Sequence, residues 1–220
     1  MAKSWMAKSF FLGEGSAGSG CTHARAEAIR NRVVAEQGTL EGRKGHNPLV
    51  DAQSRRTSAG LTSQQLIAGR LCHDRLVNLE FEIDDYELLA GRIKQPVLDE
   101  AAVADATEYL AAIPSPGGQT GHCEVATDEL FALGIDGLIT RILKRQERAE
   151  STDQAEACES FVQALRGLST MIEHAAQPAE KALATASPER RAELGAIIDS
   201  CRHIAHQSPR TFLDALHLAW

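Results

Sequence analysis

Apolar residues recur at helical spacing in almost every patterned stretch of this chain, and no two strand-like runs are joined as a parallel sheet would require. Leu66, Ile67, Leu71 and Leu76 form one stripe. Leu130, Leu133, Leu138, Ile142 and Leu143 form another, interrupted by Gly134 and Gly137. Phe161, Leu165, Leu168, Met171 and Ile172 follow, then Leu194, Ile197, Ile198, Cys201 and Ile204. Such a period buries one face of a helix and leaves the other in water. A chain rich in Ala and Leu with only 5 % aromatics also suits helices better than a β-sandwich. The expected fold class is mainly α.

Local signals divide these stripes. Thr62-Ser63-Gln64-Gln65 has the threonine-to-glutamine spacing of a capping box and predicts a helix from there. Glu80–Gly91 breaks the helical period, with Phe81 and Ile83 alternating with acids, and Glu100–Ala112 resumes it as a short alanine-rich helix. Ile113-Pro114-Ser115-Pro116-Gly117-Gly118 is a loop signal. Helices are expected over Leu130–Arg148 and Ala155–Ala186, the second kinked or divided at Pro178. Ser187-Pro188-Glu189 starts another, and Ser208-Pro209 reads as an N-cap followed by the first helical residue of the last.

That last stripe, Phe212, Leu213, Leu216, Ala219 and Trp220, is still running at the final residue, with no glycine or proline to close it. The sequence therefore reads as the front part of something larger. At the other end, Met1–Gly20 repeats Met-Ala-Lys-Ser and turns Gly/Ser-rich, as a flexible leader does. Thr22–Glu36 is helix-prone through Ala24, Ala28, Ile29 and Val33, and Gln37–Gly60 is expected to be irregular surface chain. The domain expectation is a weakly structured leader with one helix over 1–60 and a helical portion over 61–220.

Charge and composition exclude some functions. A net charge of −7 argues against nucleic acid as a partner, because binding there needs a basic footprint. Residues 1–75 carry 11 Lys and Arg against 6 Asp and Glu, but these cations are scattered and lack interleaved aromatics. No run of about 18 apolar residues is present, so no membrane-spanning helix is expected. Phe10-Phe11-Leu12 is too short for a signal-peptide core, and a cytoplasmic location is the expectation. Five cysteines without a Cys-x-x-Cys pair (Cys21, Cys72, Cys123, Cys158, Cys201) suggest free thiols rather than disulfides or zinc.

Other motifs carry little chemistry. Gly13-Glu14-Gly15-Ser16-Ala17-Gly18 matches the dinucleotide fingerprint in letters, but no strand of useful length precedes it and none follows by Gly60, so it reads as a linker. Eight histidines include His203 and His206 three apart, yet no carboxylate or thiol is fixed beside them, and no metal site is expected. Asp84-Asp85 and Asp99-Glu100 suit caps and turns better than acid–base catalysis. Local spacing assigns no catalytic residue.

Several stretches, taken in order, resemble the pyruvate formate-lyase-like branch of the glycyl radical enzymes. Glu82–Arg92, Glu-Ile-Asp-Asp-Tyr-Glu-Leu-Leu-Ala-Gly-Arg, looks like that family's D-D-E-L-I-V-G turn. Pro116-Gly117-Gly118 with Gly121-His122 resembles its loop ending in Gly-His, and Leu130–Ile142 the helix after it. Pro188-Glu189-Arg190 with Glu193-Leu194, and Pro209-Arg210-Thr211-Phe212 with Ala215-Leu216, are similar to two further helices of the family. Val125-Ala126 departs from the family's Pro-Asp at the next helix start, and Pro178 falls where relatives tend to continue a helix.

The resemblance covers about Leu66–Trp220. It implies that this helical portion is the N-terminal part of what would be a ten-stranded α/β glycyl-radical barrel in the full-length enzyme, a lyase or dehydratase of formate acetyltransferase-like or diol-dehydratase-like type. The catalytic cysteine and radical glycine would lie beyond Trp220, so the chain alone is expected to be inactive. The resemblance further implies anaerobic metabolism and a glycyl radical installed by an S-adenosylmethionine-dependent iron–sulfur activase. The expected partners are that activase, a small-molecule substrate and a second copy in a homodimer. It also implies a substrate-hydroxyl contact at His122, where a neutral imidazole offers one donor and one acceptor. The competing expectation is a non-enzymatic helical interaction or scaffold protein.

Overall fold

Helices dominate the computed structural model, which describes residues 23–36, 47–114 and 127–219. The chain separates into two units, Met1–Gly38 and Thr39–Trp220. The first contains α1 (His23–Glu36), whose Ile29 and Val34 are exposed. The second contains α2 (Pro48–Thr57), α3 (Gln64–Val77), β1 (Phe81–Glu82), β2 (Arg92–Ile93), α4 (Glu100–Ala111), α5 (Thr127–Gln146), α6 (Thr152–Ala182), α7 (Pro188–Ile204) and α8 (Phe212–Ala219).

α6 is the central element, with α3, α5 and α7 packed against it. Its Ile172, Ala176 and Ala179 join Ile135 of α5 and Leu194, Ile197, Ile198, Cys201 and Ile204 of α7 in one buried cluster. Burying an isoleucine or leucine fully is worth about 1.5–3 kcal/mol, so each such side chain in this seam adds to the cohesion of the second unit. The α3–α6 crossing is close: a side chain on Gly69 would meet the Ser160 backbone, and one on Gly167 would lie 2.8 Å from the His73 Cα. α2 packs on α3 and α4, burying Ala52 and Ala106.

Most helix boundaries fall close to the expected ones. Ser187 caps α7, its hydroxyl accepting from the Arg190 amide at 3.2 Å, and Pro188 takes the first helical position. Asp99 caps α4 by accepting from Ala102 N at 2.8 Å. The mainly α expectation holds.

Five local expectations are corrected. Gln37–Gly60 is not all irregular, because Asn47 caps α2 and Pro48 starts it, a signal hidden among glycines and charges. The cap of α3 is Ser63 rather than Thr62, its hydroxyl accepting from Leu66 N. Pro178 does not divide α6, which runs continuously through it. A proline removes one donor from the ladder, and burial of Ala175, Ala176 and Ala179 on either side holds the helix together. Phe161 does not face inward and is 63 % exposed. Finally, Pro209 precedes the last helix instead of opening it: Thr211 Oγ1 accepts from Asp214 N at 3.1 Å, so α8 begins at Phe212.

The Gly134 interruption in α5 is a kink. Gly134 has φ 65° and ψ 177°, and the backbone of Gln207–Ser208 lies directly against its α-carbon. Asp136 N then donates to His206 O at 2.9 Å, tying the restarted helix to the turn after α7.

Candidate functional site

β1 and β2 pair antiparallel in the register Phe81 with Ile93 and Glu82 with Arg92. The chain between them, residues 83–91, has no strand or helix of its own; Glu87 N donates to Asp84 O at 3.1 Å within it, and other backbone groups need partners from elsewhere. Arg92 reaches Glu82 at 2.9 Å, Asp84 at 2.9 Å and Glu87 at 3.3 Å. The Glu87 carboxylate turns back to accept from Asp84 N at 2.6 Å. From the far side, Arg190 of α7, 9 % exposed, donates to the carbonyls of Glu87 at 2.6 Å and Asp84 at 2.8 Å, and to the Glu193 carboxylate at 2.8 Å. A planar guanidinium with several fixed donors suits this double carbonyl clamp.

The other end of the loop is held by α8. Ala90 N donates to His217 Nε2 at 3.0 Å, and His217 Nδ1–H donates to Ser200 Oγ at 2.8 Å. The Ser200 hydroxyl in turn bonds the Asp214 carboxylate, which also accepts from Arg210 N at 2.9 Å and Arg210 Nε at 3.1 Å. Arg210 continues outward to Asp199 at 2.7 Å. Burial holds His217 below its usual pKa, with Asp214 pulling the other way, which favours the neutral imidazole that accepting from Ala90 N requires. Burial raises the Asp214 carboxyl, but the bonds from Arg210 and Ser200 outweigh it and hold the group at about 2.

Serine, histidine and aspartate are all present, but their order rules out nucleophilic activation. In a working triad the base takes the serine proton and the acid orients the base. Here the serine hydroxyl is spent on the carboxylate, and the free imidazole nitrogen is occupied by a backbone amide. Burial pushes the neighbouring Cys201 thiol up to about 12, which leaves it unreactive at neutral pH. The cluster is a polar bolt that holds α8 and α7 to the 83–91 loop.

Sequence reasoning assigned no role to these residues. One signal was available: Asp214 and His217 stand three apart on an otherwise apolar helix, the spacing at which side chains share a face. His203 and His206 do not combine. His203 Nε2 bonds Ser208 O at 2.8 Å, whereas His206 bridges Glu173 at 3.0 Å and Asp136 at 3.2 Å. His122, expected as a substrate contact, lies outside the described residues, as do Cys21 and Cys123. Among the described residues no three His, Cys, Asp or Glu side chains are arranged to hold a metal ion, and no helix is long and apolar enough to cross a membrane.

The clamped loop is also the start of a match to known proteins. The profile of the family described as pyruvate formate lyase-like covers residues 80–220. The chain belongs to this family. A relative within reach of sequence comparison is the "Probable dehydratase YbiW" of Escherichia coli (strain K12), 34 % identical over 128 residues, which are 56 % of this chain and 16 % of the relative.

Two solved structures share the fold. One is the glycerol-bound form of the B12-independent glycerol dehydratase from Clostridium butyricum, with a TM-score of 0.66 and 17 % identity over 79 % of this chain and 30 % of that one. The other is a Roseburia inulinivorans structure concerned with 1,2-propanediol dehydration, with a TM-score of 0.66 and 18 % identity over 79 % of this chain and 28 % of that one. The pyruvate formate lyase-like resemblance drawn from the sequence holds, and the chain spans less than a third of the length of each of these proteins.

Proposed function

We propose that this chain supplies the helical N-terminal portion of a glycyl-radical dehydratase acting on a small diol or triol, and that sequence beyond it carries the radical chemistry. The supporting observation is the family match over residues 80–220, joined to a span of only 16–30 % of the relatives' lengths. The relatives' names favour dehydration over formate acetyl transfer. On this reading the 83–91 loop and its clamps form scaffold, and His122 contacts a substrate hydroxyl. A separate S-adenosylmethionine-dependent iron–sulfur activase installs the radical under anaerobic, cytoplasmic conditions, and the assembled enzyme is a homodimer.

Two experiments test this. The nucleotide sequence after the Trp220 codon, read in all frames, should encode a cysteine loop and a glycine-radical segment; their absence would overturn the proposal. The 220-residue chain, incubated anaerobically with a diol-dehydratase activase, S-adenosylmethionine and reductant, should give no glycyl-radical signal in electron paramagnetic resonance and should not dehydrate glycerol. A radical doublet from this chain alone would refute the division of labour.

A further inference from the structure

Two histidines at opposite ends of the α7–α8 segment need opposite protonation states. His206, in the turn after α7, sets its ring between carboxylates of two other helices: Nε2 lies 3.0 Å from Glu173 of α6 and Nδ1 3.2 Å from Asp136 of α5. A carboxylate only accepts, so both contacts are hydrogen bonds only when both ring nitrogens carry protons, as in the imidazolium. The His206 carbonyl accepts from Asp136 N at 2.9 Å, so ring and backbone secure the same turn to α5. His217, on α8, has the reverse need. Its Nε2 accepts from Ala90 N at 3.0 Å. Protonating that nitrogen would set two N–H groups against each other and break the hold on the 83–91 loop.

The surroundings favour each state. Around His206 the charged and titratable groups are Asp136 of α5, Glu173 of α6 and, on α7, His203, which is turned to Ser208 O, and Arg202, which is turned to Glu180. Around His217 they are Asp214 on α8 itself, paired with Arg210, and Cys201 next to Ser200 on α7. The loop's Asp84 and Glu87 are turned to Arg92. The bond to Glu173, opposed by partial burial and assisted by Asp136, raises His206 above the usual 6.5, whereas burial lowers His217 below it against the pull of Asp214. In the opposite order no pH would satisfy both rings. We propose that the α7–α8 segment is a clasp with a pH window: a charged His206 fastens it to α5 and α6, a neutral His217 fastens it to the 83–91 loop, and both ends hold only where these two states coexist. Acid frees the loop, and base frees the turn from Asp136 and Glu173. Every partner involved lies between Asp84 and His217, so the arrangement belongs to this chain whatever sequence follows Trp220.

The test follows amide hydrogen exchange by nuclear magnetic resonance in the full 220-residue chain, each rate taken relative to that of an unstructured peptide. Protection of the Ala90 amide should fall at least about threefold between pH about 7 and about 5, the worth of one such bond, and stay level in base. Protection of the Asp136 amide should stay level in acid and fall about twofold by pH about 8.5, because a half-exposed ion pair contributes little. His206→Gln, whose side chain does not titrate, should flatten the Asp136 profile and leave that of Ala90 unchanged, and His217→Gln should do the converse. Circular dichroism checks that both variants fold. If the buried His217 variant does not, the ring-nitrogen shifts of the parent chain decide, with His217 titrating below 6.5 and His206 above it. The clasp is refuted if the two rings titrate in the other order or if the folded glutamine variants keep the parent's profiles. It is equally refuted if both amides lose protection together in acid and in base, as a single global transition would make them do.

Discussion

Replacing Gly134 by alanine places a methyl group where the fold has neither the backbone freedom nor the space for it. At φ 65° and ψ 177° the residue occupies a region that is essentially closed to anything but glycine, and such strain costs about 1–3 kcal/mol. The new Cβ would also lie 2.5 Å from Ser208 N and 2.7 Å from Gln207 Cα. These are backbone atoms and cannot rotate away, so forced repacking adds about 1–3 kcal/mol. Together the loss is about 2–6 kcal/mol. A midpoint of about 4 kcal/mol lowers Tm by about 8–16 °C for a unit of this size. Urea titration followed by circular dichroism measures the loss directly, with an unchanged slope marking a pure stability effect. Gly195→Ala is the control: nothing stands within 4 Å of its added carbon, and α7 should gain about 0.4–1 kcal/mol. If Gly134→Ala cost less than about 1 kcal/mol, the tie between α5 and the turn after α7 would not be what shapes this region.

Three further outcomes are expected. Gly167→Ala should cost about 1–3 kcal/mol by forcing α6 away from α3, where the added carbon meets the His73 backbone, read as a shift in urea midpoint. Acid should destabilise the chain in two stages: His217, depressed by burial, costs stability as pH falls below its unfolded value of 6.5, and Asp214 does so below 3.8 towards about 2. Asp214→Asn should remove the second stage and lower stability at pH 7 by about 1.5–3 kcal/mol. His206 has the opposite sign, because its bond to Glu173, with Asp136 assisting against partial burial, raises its pKa. Its contribution is complete below 6.5, is lost as pH rises through the raised value, and should disappear from thermal melts of His206→Gln; being half-exposed, it amounts to a fraction of a kcal/mol.

How much of this was legible depended on range. Ser187-Pro188 and Asp99 act within three residues of themselves, so their caps could be read directly. Gly134 was visible as an interruption, though not as a kink, because the cause is Gln207–Ser208 far along the chain. Pro209 misled because a favoured helix start competes with Asp214, which draws back to accept from Arg210 N and leaves Thr211 as the cap. Phe161 sits on the helical period of its neighbours, but a period gives spacing and not width, and at 63 % exposure it falls outside the buried arc of α6. The polar bolt was the least readable feature. Arg190 and His217 meet the 83–91 loop across more than a hundred positions, and no local pattern encodes such a meeting.

That separation bears on how the chain is made. The loop between Glu82 and Arg92 leaves the ribosome well before the residues that set its shape. At about 5–20 residues per second, Arg190 and then His217 are synthesised roughly 5–25 seconds later. Until then the Glu87 carbonyl and the Ala90 amide lack these partners, and the Asp84 carbonyl has the Glu87 amide of its own turn but not Arg190. The turn at which the family match begins therefore cannot take its final conformation until residues about a hundred positions and more along the chain have been made.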